Sequence, residues 1–258
     1  MKGTIWCLHG AVGMSEDWRG FSVPGWAVKR VDLWRFLDCC PMGMPEFGKA
    51  LNEEAAATDG RKVLLGYSMG GRLALHALLA DCGGPPQSSP APGRGSHLWD
   101  AAAIVSAHPG LPDEEERKAR RARDAEWAAR ALKGDWQDFL TEWNSQAVLE
   151  GFRSRISDLG LKFADRGRLE MRRQAVARSF MDWSLGTQEA MRDRLGEIAC
   201  PLLWVAGERD EKFRAIAEEV GEFGRFEASI VAGSGHRVPW ESAEFPAKVG
   251  EFLERAVS

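Results

Sequence analysis

An α/β fold built on a mostly parallel sheet is what the sequence predicts, and three observations predict it. Short apolar runs rich in strand formers alternate with segments of helical period along most of the chain, a pattern that produces parallel sheets. In one alternation, the strand Lys62-Val-Leu-Leu65 passes through Gly66-Tyr67-Ser68-Met69-Gly70 into a helical run reaching Leu79. The chain has 258 residues and 44% hydrophobic content, enough to bury one large core, so one domain with an insertion is expected.

The elements follow in order. Thr4 to Leu8 reads as a buried strand ending at His9-Gly10, where a glycine-bearing loop runs to Trp18. Ala27 to Leu33 alternates as a second strand. Trp34 to Pro41 is expected to be an irregular loop over the mouth of a site, and Pro45 to Ala57 a helix. The strand at Lys62 then turns sharply over Ser68. Gly83 to Ser96, rich in Gly, Pro and Ser, supports neither helix nor strand and reads as a surface insertion. A strand at Ala101 to Ser106 follows. From Asp113 to about Leu195 helix formers dominate, with helices over Glu114 to Leu132, Asp135 to Trp143 and Arg168 to Trp183. The expected division is a core of residues 1–111 and 196–258 with a helical lid over 112–195. The sheet resumes at Pro201 to Ala206 and again at Glu227 to Val231, and a helix from Ser242 to Ala256 closes the chain.

Composition excludes several functions. A net charge of −4, from 34 basic and 38 acidic residues mixed along the chain, offers no broad footprint for nucleic acid or an anionic membrane. No apolar run approaches a membrane span and Met1 to Gly10 lacks the features of a signal peptide, so a cytoplasmic protein is expected. Five cysteines without C-x-x-C spacing indicate neither a disulfide framework nor a zinc site. Oligomeric state is not legible here.

The chemistry is carried by G-x-S-x-G. Its glycines allow a strained strand-to-helix turn that holds the Ser68 hydroxyl clear of the backbone, as a nucleophile or proton relay. Asp210, in Gly207-Glu-Arg-Asp210, and His236, in Gly233-Ser-Gly-His236, each follow a strand, and active sites of open parallel sheets lie beyond those strand ends. His236 would accept the Ser68 proton while Asp210 holds its tautomer, with Glu208 as the competing acid. The N–H groups of Ala11, just past His9-Gly10, and Met69 are the expected oxyanion donors; an ordinary turn is the alternative at Ala11. His9 is better placed to order its loop than to act as the base. Arg72 stands four residues after Ser68, on the same helix face. A cation there opposes the helix dipole, so it needs either a carboxylate of the lid or an anionic ligand. The basic run Arg117, Lys118, Arg120, Arg121, Arg123 reads for some members as a solvated face beside Asp113 to Glu116.

Together, Leu8-His-Gly-Ala-Val-Gly-Met-Ser-Glu-Asp-Trp18, Gly66-Tyr-Ser-Met-Gly-Gly-Arg72, Ser106-Ala-His-Pro-Gly-Leu111, Glu116-Arg-Lys-Ala-Arg-Arg-Ala-Arg-Asp124 and Gly207-Glu-Arg-Asp-Glu-Lys-Phe213 resemble the 2-succinyl-6-hydroxy-2,4-cyclohexadiene-1-carboxylate synthases of menaquinone biosynthesis, within the α/β-hydrolase superfamily. The likeness runs from residue 4 to the C-terminus. The elbow and the Gly-Glu-Arg-Asp turn occur more widely; the other stretches are more specific to this branch.

The resemblance implies a carbon-oxygen lyase that takes a proton from a cyclohexene tricarboxylate and expels pyruvate, with Ser68, His236 and Asp210 as the base system and no metal or organic cofactor. It also implies that Arg72, Arg121 (or failing it Arg120) and Trp143 bind the anionic substrate. The chain departs from the family's common pattern at Asn144, where an aromatic is usual. It departs from many superfamily members at Trp34-Arg-Phe-Leu37, where they carry Pro-Gly-His-Gly. A serine carboxylesterase working through an acyl-enzyme is the alternative, and a non-enzymatic binding protein a more distant one.

Overall fold

The computed structural model describes residues 1–38, 40–81, 97–149, 166–222 and 226–257. Strands β1 (Gly3–Leu8), β2 (Trp26–Val31), β3 (Lys62–Tyr67), β4 (Ala101–Val105), β5 (Leu202–Gly207) and β6 (Glu227–Val231) form one sheet in the order β2-β1-β3-β4-β5-β6. Every pairing in it is parallel. The central strands read as continuous apolar runs because both of their faces are covered.

Alternate side chains sort to the two faces, as the strand period of two requires. Trp6, Leu8, Leu64, Ala102, Ile104, Trp204 and Ala206 enter one core with helices α2 (Met44–Ala56), α3 (Met69–Asp81) and α7 (Glu211–Glu222). Ile5, Cys7, Val63, Leu65, Ala103, Val105 and Val205 enter the other, against Trp18, Phe21 and helix α9 (Phe245–Ala256).

Among the described residues, three further α-helices stand between β4 and β5: α4 (Glu114–Lys133), α5 (Trp136–Asn144) and α6 (Arg173–Asp182). Asp113 caps α4 by accepting the Glu116 N–H at 2.8 Å. Trp127 of α4 packs edge-on against Trp143 of α5, with ring centroids 5.2 Å apart, and Trp143 meets Phe180 of α6 at 5.3 Å. This aromatic cluster gives the charged helices their apolar anchor.

Some element boundaries differ from expectation. The stretch after β2 contains one helical turn, α1 (Arg35–Asp38); the closing helix expected from Ser242 begins at Phe245 as α9, and a separate turn, α8 (Val238–Glu241), stands ahead of it. Pro239 and Pro246 each stand in a first turn, where a missing N–H costs nothing, so each opens its own helix. The expected helix from Arg168 begins as a 3-10 segment, Arg166–Arg172, before α6. The Gly83 to Ser96 insertion lies outside the described residues. Among those described, no helix is long and apolar enough to cross a membrane.

β1 has β2 on one side and β3 on the other, so the chain reverses its direction of winding between β1 and β3. The crevice outside the strand ends at such a switch point is where open α/β sheets bind ligands. The loop after β1 and the turn after β3 both open there.

Candidate active site

Ser68 sits between β3 and α3 with a positive φ of 53°, which a residue with a side chain adopts only when its surroundings enforce it. Its N–H donates to the Val105 carbonyl at 2.8 Å. The flanking glycines are required by close approach. A Cβ on Gly66 would stand 2.4 Å from the Gly70 carbonyl oxygen, and one on Gly70 would stand 2.5 Å from that of His9.

Asp210 follows β5 and His236 follows β6. Their side chains meet, with His236 Nδ1 2.6 Å from Asp210 Oδ2, and His236 Nε2 lies 3.1 Å from Ser68 Oγ. The histidine and aspartate are buried, and the Phe213 ring packs on the imidazole at 4.6 Å. Glu208 is exposed and accepts the Gly233 N–H at 2.7 Å, shaping the turn before His236 without touching the imidazole.

The loop after β1 is held by His9. The Leu33 N–H donates to His9 Nε2 at 3.3 Å, which puts the ring proton on Nδ1, and Nδ1 donates to the Gly10 carbonyl at 2.9 Å. Gly13 N–H donates to the same carbonyl at 3.0 Å. With that carbonyl turned into the loop, the Ala11 N–H of the same trans peptide points the opposite way. Burial lowers the His9 pKa and favours this neutral ring. Ala11 and Met69 both line the cavity, and Met69 opens α3, where a backbone N–H lacks an intrahelical acceptor.

The cavity holds about 280 Å³ and is walled by Ser68, His236, Trp127, Trp143, Leu149 and Phe213 among others. Among the described residues its charged lining is six basic ones, Arg72, Arg120, Arg123, Arg166, Lys212 and Arg237, against two acidic ones, Asp17 and Asp124. Arg72 is buried. Its guanidinium donates to the Trp183 carbonyl at 2.8 Å, Gln188 Oε1 at 3.3 Å and Met44 Sδ at 3.5 Å, and among the described residues no carboxylate pairs with it. Desolvation, then Arg120, pushes its pKa down to about 9, so the cation persists at neutral pH.

Arg121 does not line the cavity. It donates to the Gly186 carbonyl and to Glu114, each at 2.8 Å, on the outer side of α4. Arg120, Arg123, Asp124 and Trp127 line it instead. Their spacing of three, four and seven residues puts them on one helix face, a signal present in the sequence. Arg120 Nε lies 2.9 Å from both oxygens of Asp124. Sequence reasoning also missed Arg166, whose guanidinium grips Asp17 bidentately at 2.9 and 2.7 Å. No spacing rule links positions so far apart. Arg237 donates to Asn144 at 2.8 Å across the cavity edge. Among the described residues no cluster of ligating side chains could hold a metal ion.

No family model matches the chain. Among curated relatives, the 2-succinyl-6-hydroxy-2,4-cyclohexadiene-1-carboxylate synthase of Serratia proteamaculans is 27% identical over 256 residues, covering 96% of this chain and 92% of its own length. That of Salmonella paratyphi C is 29% identical over 254 residues, covering 95% and 90%. Among solved structures, MenH from S. aureus superposes with a TM-score of 0.76 at 21% identity, covering 100% of this chain and 96% of its own. A thermophilic esterase from Thermogutta terrifontis gives 0.73 at 19%, covering 99% and 90%. The chain therefore has the α/β-hydrolase fold and, along nearly its whole length, resembles the 2-succinyl-6-hydroxy-2,4-cyclohexadiene-1-carboxylate synthases.

Proposed function

We propose that this protein is a cytoplasmic carbon-oxygen lyase that eliminates pyruvate from a cyclohexene tricarboxylate to give 2-succinyl-6-hydroxy-2,4-cyclohexadiene-1-carboxylate. The observation that carries the reading is Arg72, a buried cation one helical turn from Ser68 whose partners are all uncharged. Burying a charge is expensive unless an opposite charge meets it, and a substrate carboxylate supplies that charge when it binds. The excess of basic over acidic groups around the same cavity extends the argument to further carboxylates.

In this reading His236 Nε2 takes the Ser68 Oγ proton, and the alkoxide removes the ring proton. The C–H electron pair forms a new ring C=C as the C–O bond breaks, and the electron pair of that bond leaves with the oxygen as pyruvate enolate. The proton held by His236 is delivered to the enolate carbon to give pyruvate, with the ring proton left on Ser68 Oγ. Asp210 holds the tautomer of His236 and stabilises the imidazolium. The Ala11 and Met69 N–H groups face the negative charge as it develops. Trp143 and Trp127 would wall the ring, and residues 112–195 would serve as a lid that excludes water.

The similarity to an esterase supports a second reading, a serine carboxylesterase with Ser68 as nucleophile. Pyruvate release from the tricarboxylate, coupled to lactate dehydrogenase and run beside hydrolysis of p-nitrophenyl acetate, separates them. Pyruvate formation supports the lyase; brisk ester turnover with none supports the esterase.

A further inference from the structure

We propose that Gln188 is a positioning and specificity residue, which holds the Arg72 guanidinium in place while leaving its charge free for a substrate carboxylate. The inference rests on the reading of Arg72 as an anion site.

Gln188 is buried, and its carboxamide bridges His108 and Arg72, with Met191 Sδ 3.9 Å from Nε2. Nε2 donates to the His108 carbonyl at 3.1 Å, and Oε1 accepts from Arg72 Nη1 at 3.3 Å. A carbonyl can only accept, so the bond to His108 fixes which way the amide faces and turns its oxygen to Arg72. The Trp183 carbonyl holds Nη2 at 2.8 Å, so two oxygen acceptors, with Met44 Sδ beside them, define the guanidinium plane. Both oxygens belong to the segment after α6, and the same segment reaches Arg120 indirectly. Ser184 Oγ donates to Asp124 at 2.7 Å, and Asp124 receives Arg120.

The two arginines are therefore held by different means. Arg120 is steered by a carboxylate, which offsets its charge; Arg72 is steered by neutral oxygens, which orient it and offset nothing. A glutamate at position 188 would have nearly the same shape as glutamine. It would pair with Arg72 inside the protein and compete with any incoming anion. The neutrality of the side chain is what the site requires.

The test compares Gln188→Glu, Gln188→Met and Arg72→Gln with the parent, measuring KM and kcat for pyruvate release from the cyclohexene tricarboxylate. Hydrolysis of p-nitrophenyl acetate, a neutral ester, reports whether the site is intact. Gln188→Glu is expected to raise KM for the tricarboxylate ~10-fold or more relative to the ester reference, with the larger effect in KM than in kcat. Gln188→Met keeps the charge of Arg72 free and loses only the bond that orients it, so it should raise KM less, by about threefold. A merely structural role predicts that Met harms as much as Glu and that ester hydrolysis falls in step. That result, or Gln188→Glu behaving as the parent while Arg72→Gln is impaired, overturns the role of Gln188 and leaves the anion site standing. Unimpaired Arg72→Gln, or no pyruvate from the parent, overturns the anion site and the inference with it.

Discussion

The backbone N–H of Arg72 donates to the Ser68 carbonyl at 3.1 Å, so the buried cation and the strained serine share the first turn of α3. One element carries both the proposed base and a charge that could position an anion beside it. The helix N-terminus disfavours a cation, and burial disfavours it further. On the proposed function the anionic substrate offsets both costs, which makes this turn the place to perturb.

Ser68→Ala and His236→Ala should each reduce turnover on the order of 10³-fold or more without loss of folding, and the double variant should be little worse than either, since the residues act as one unit. Asp210→Asn should lose less, because the imidazole remains and only its tautomer and charge stabilisation are disturbed. Glu208→Gln, which weakens an exposed turn contact, should stay within about threefold of the parent. Steady-state kinetics with thermal unfolding as a folding control decides each; near-normal activity in Ser68→Ala would refute the assigned role.

Arg72→Lys should lower kcat/KM for pyruvate release by ~10-fold or more, about 1.4 kcal/mol in transition-state binding, because an ammonium cannot reproduce the planar fork of a guanidinium. The ratio of pyruvate release to p-nitrophenyl acetate hydrolysis is the measurement. A constant ratio would mean that Arg72 is only packing.

The two adjacent arginines of α4, Arg120 and Arg121, face different surroundings. Arg120→Ala should raise KM for the tricarboxylate by roughly 10-fold or more, the scale of a lost charged hydrogen bond. Arg121→Ala, which gives up an exposed pair with Glu114, should change it by less than about threefold. Equal effects on a neutral ester would reassign Arg120 to structural support of α4.

Buried histidines set an acid limit on stability. Desolvation, followed by Arg72 and Arg194, lowers His76 from 6.5 to about 3; desolvation, followed by Lys212, lowers His108 from 6.5 to about 4. Both are depressed relative to the unfolded chain, which therefore binds more protons below pH 6.5. The stabilisation is fully present above pH 6.5, falls as pH drops toward about 4 through both groups, and falls further toward about 3 through His76 alone. Urea midpoints between pH 8 and pH 4 should decline below about 6.5, and less steeply in His76→Leu. Identical slopes would show that His76 does not drive the loss.

By itself, the sequence determined whatever depends on neighbours along the chain. The glycines of the elbow are legible because Gly66 and Gly70 answer to backbone packing within a few residues and to the strand alongside. The strands are legible as apolar runs alternating with helical segments, and Ser68, Asp210 and His236 through their places just beyond strand ends; the order β2-β1-β3-β4-β5-β6 came only with the tertiary structure. Tertiary structure alone decided which charges face inward. The rotation of α4 about its axis follows from seating Trp127 among Trp143, Phe139 and Phe180, and that rotation turns Arg120 into the cavity and Arg121 toward Gly186. The pairing of Asp17 with Arg166, and the capture of Arg72 by Gln188 and the Trp183 carbonyl, join segments 149 and more than 100 residues apart. Local period and turn chemistry have no information about such contacts. They exist only once the sheet has formed and the helices after β4 have packed beside its strand ends.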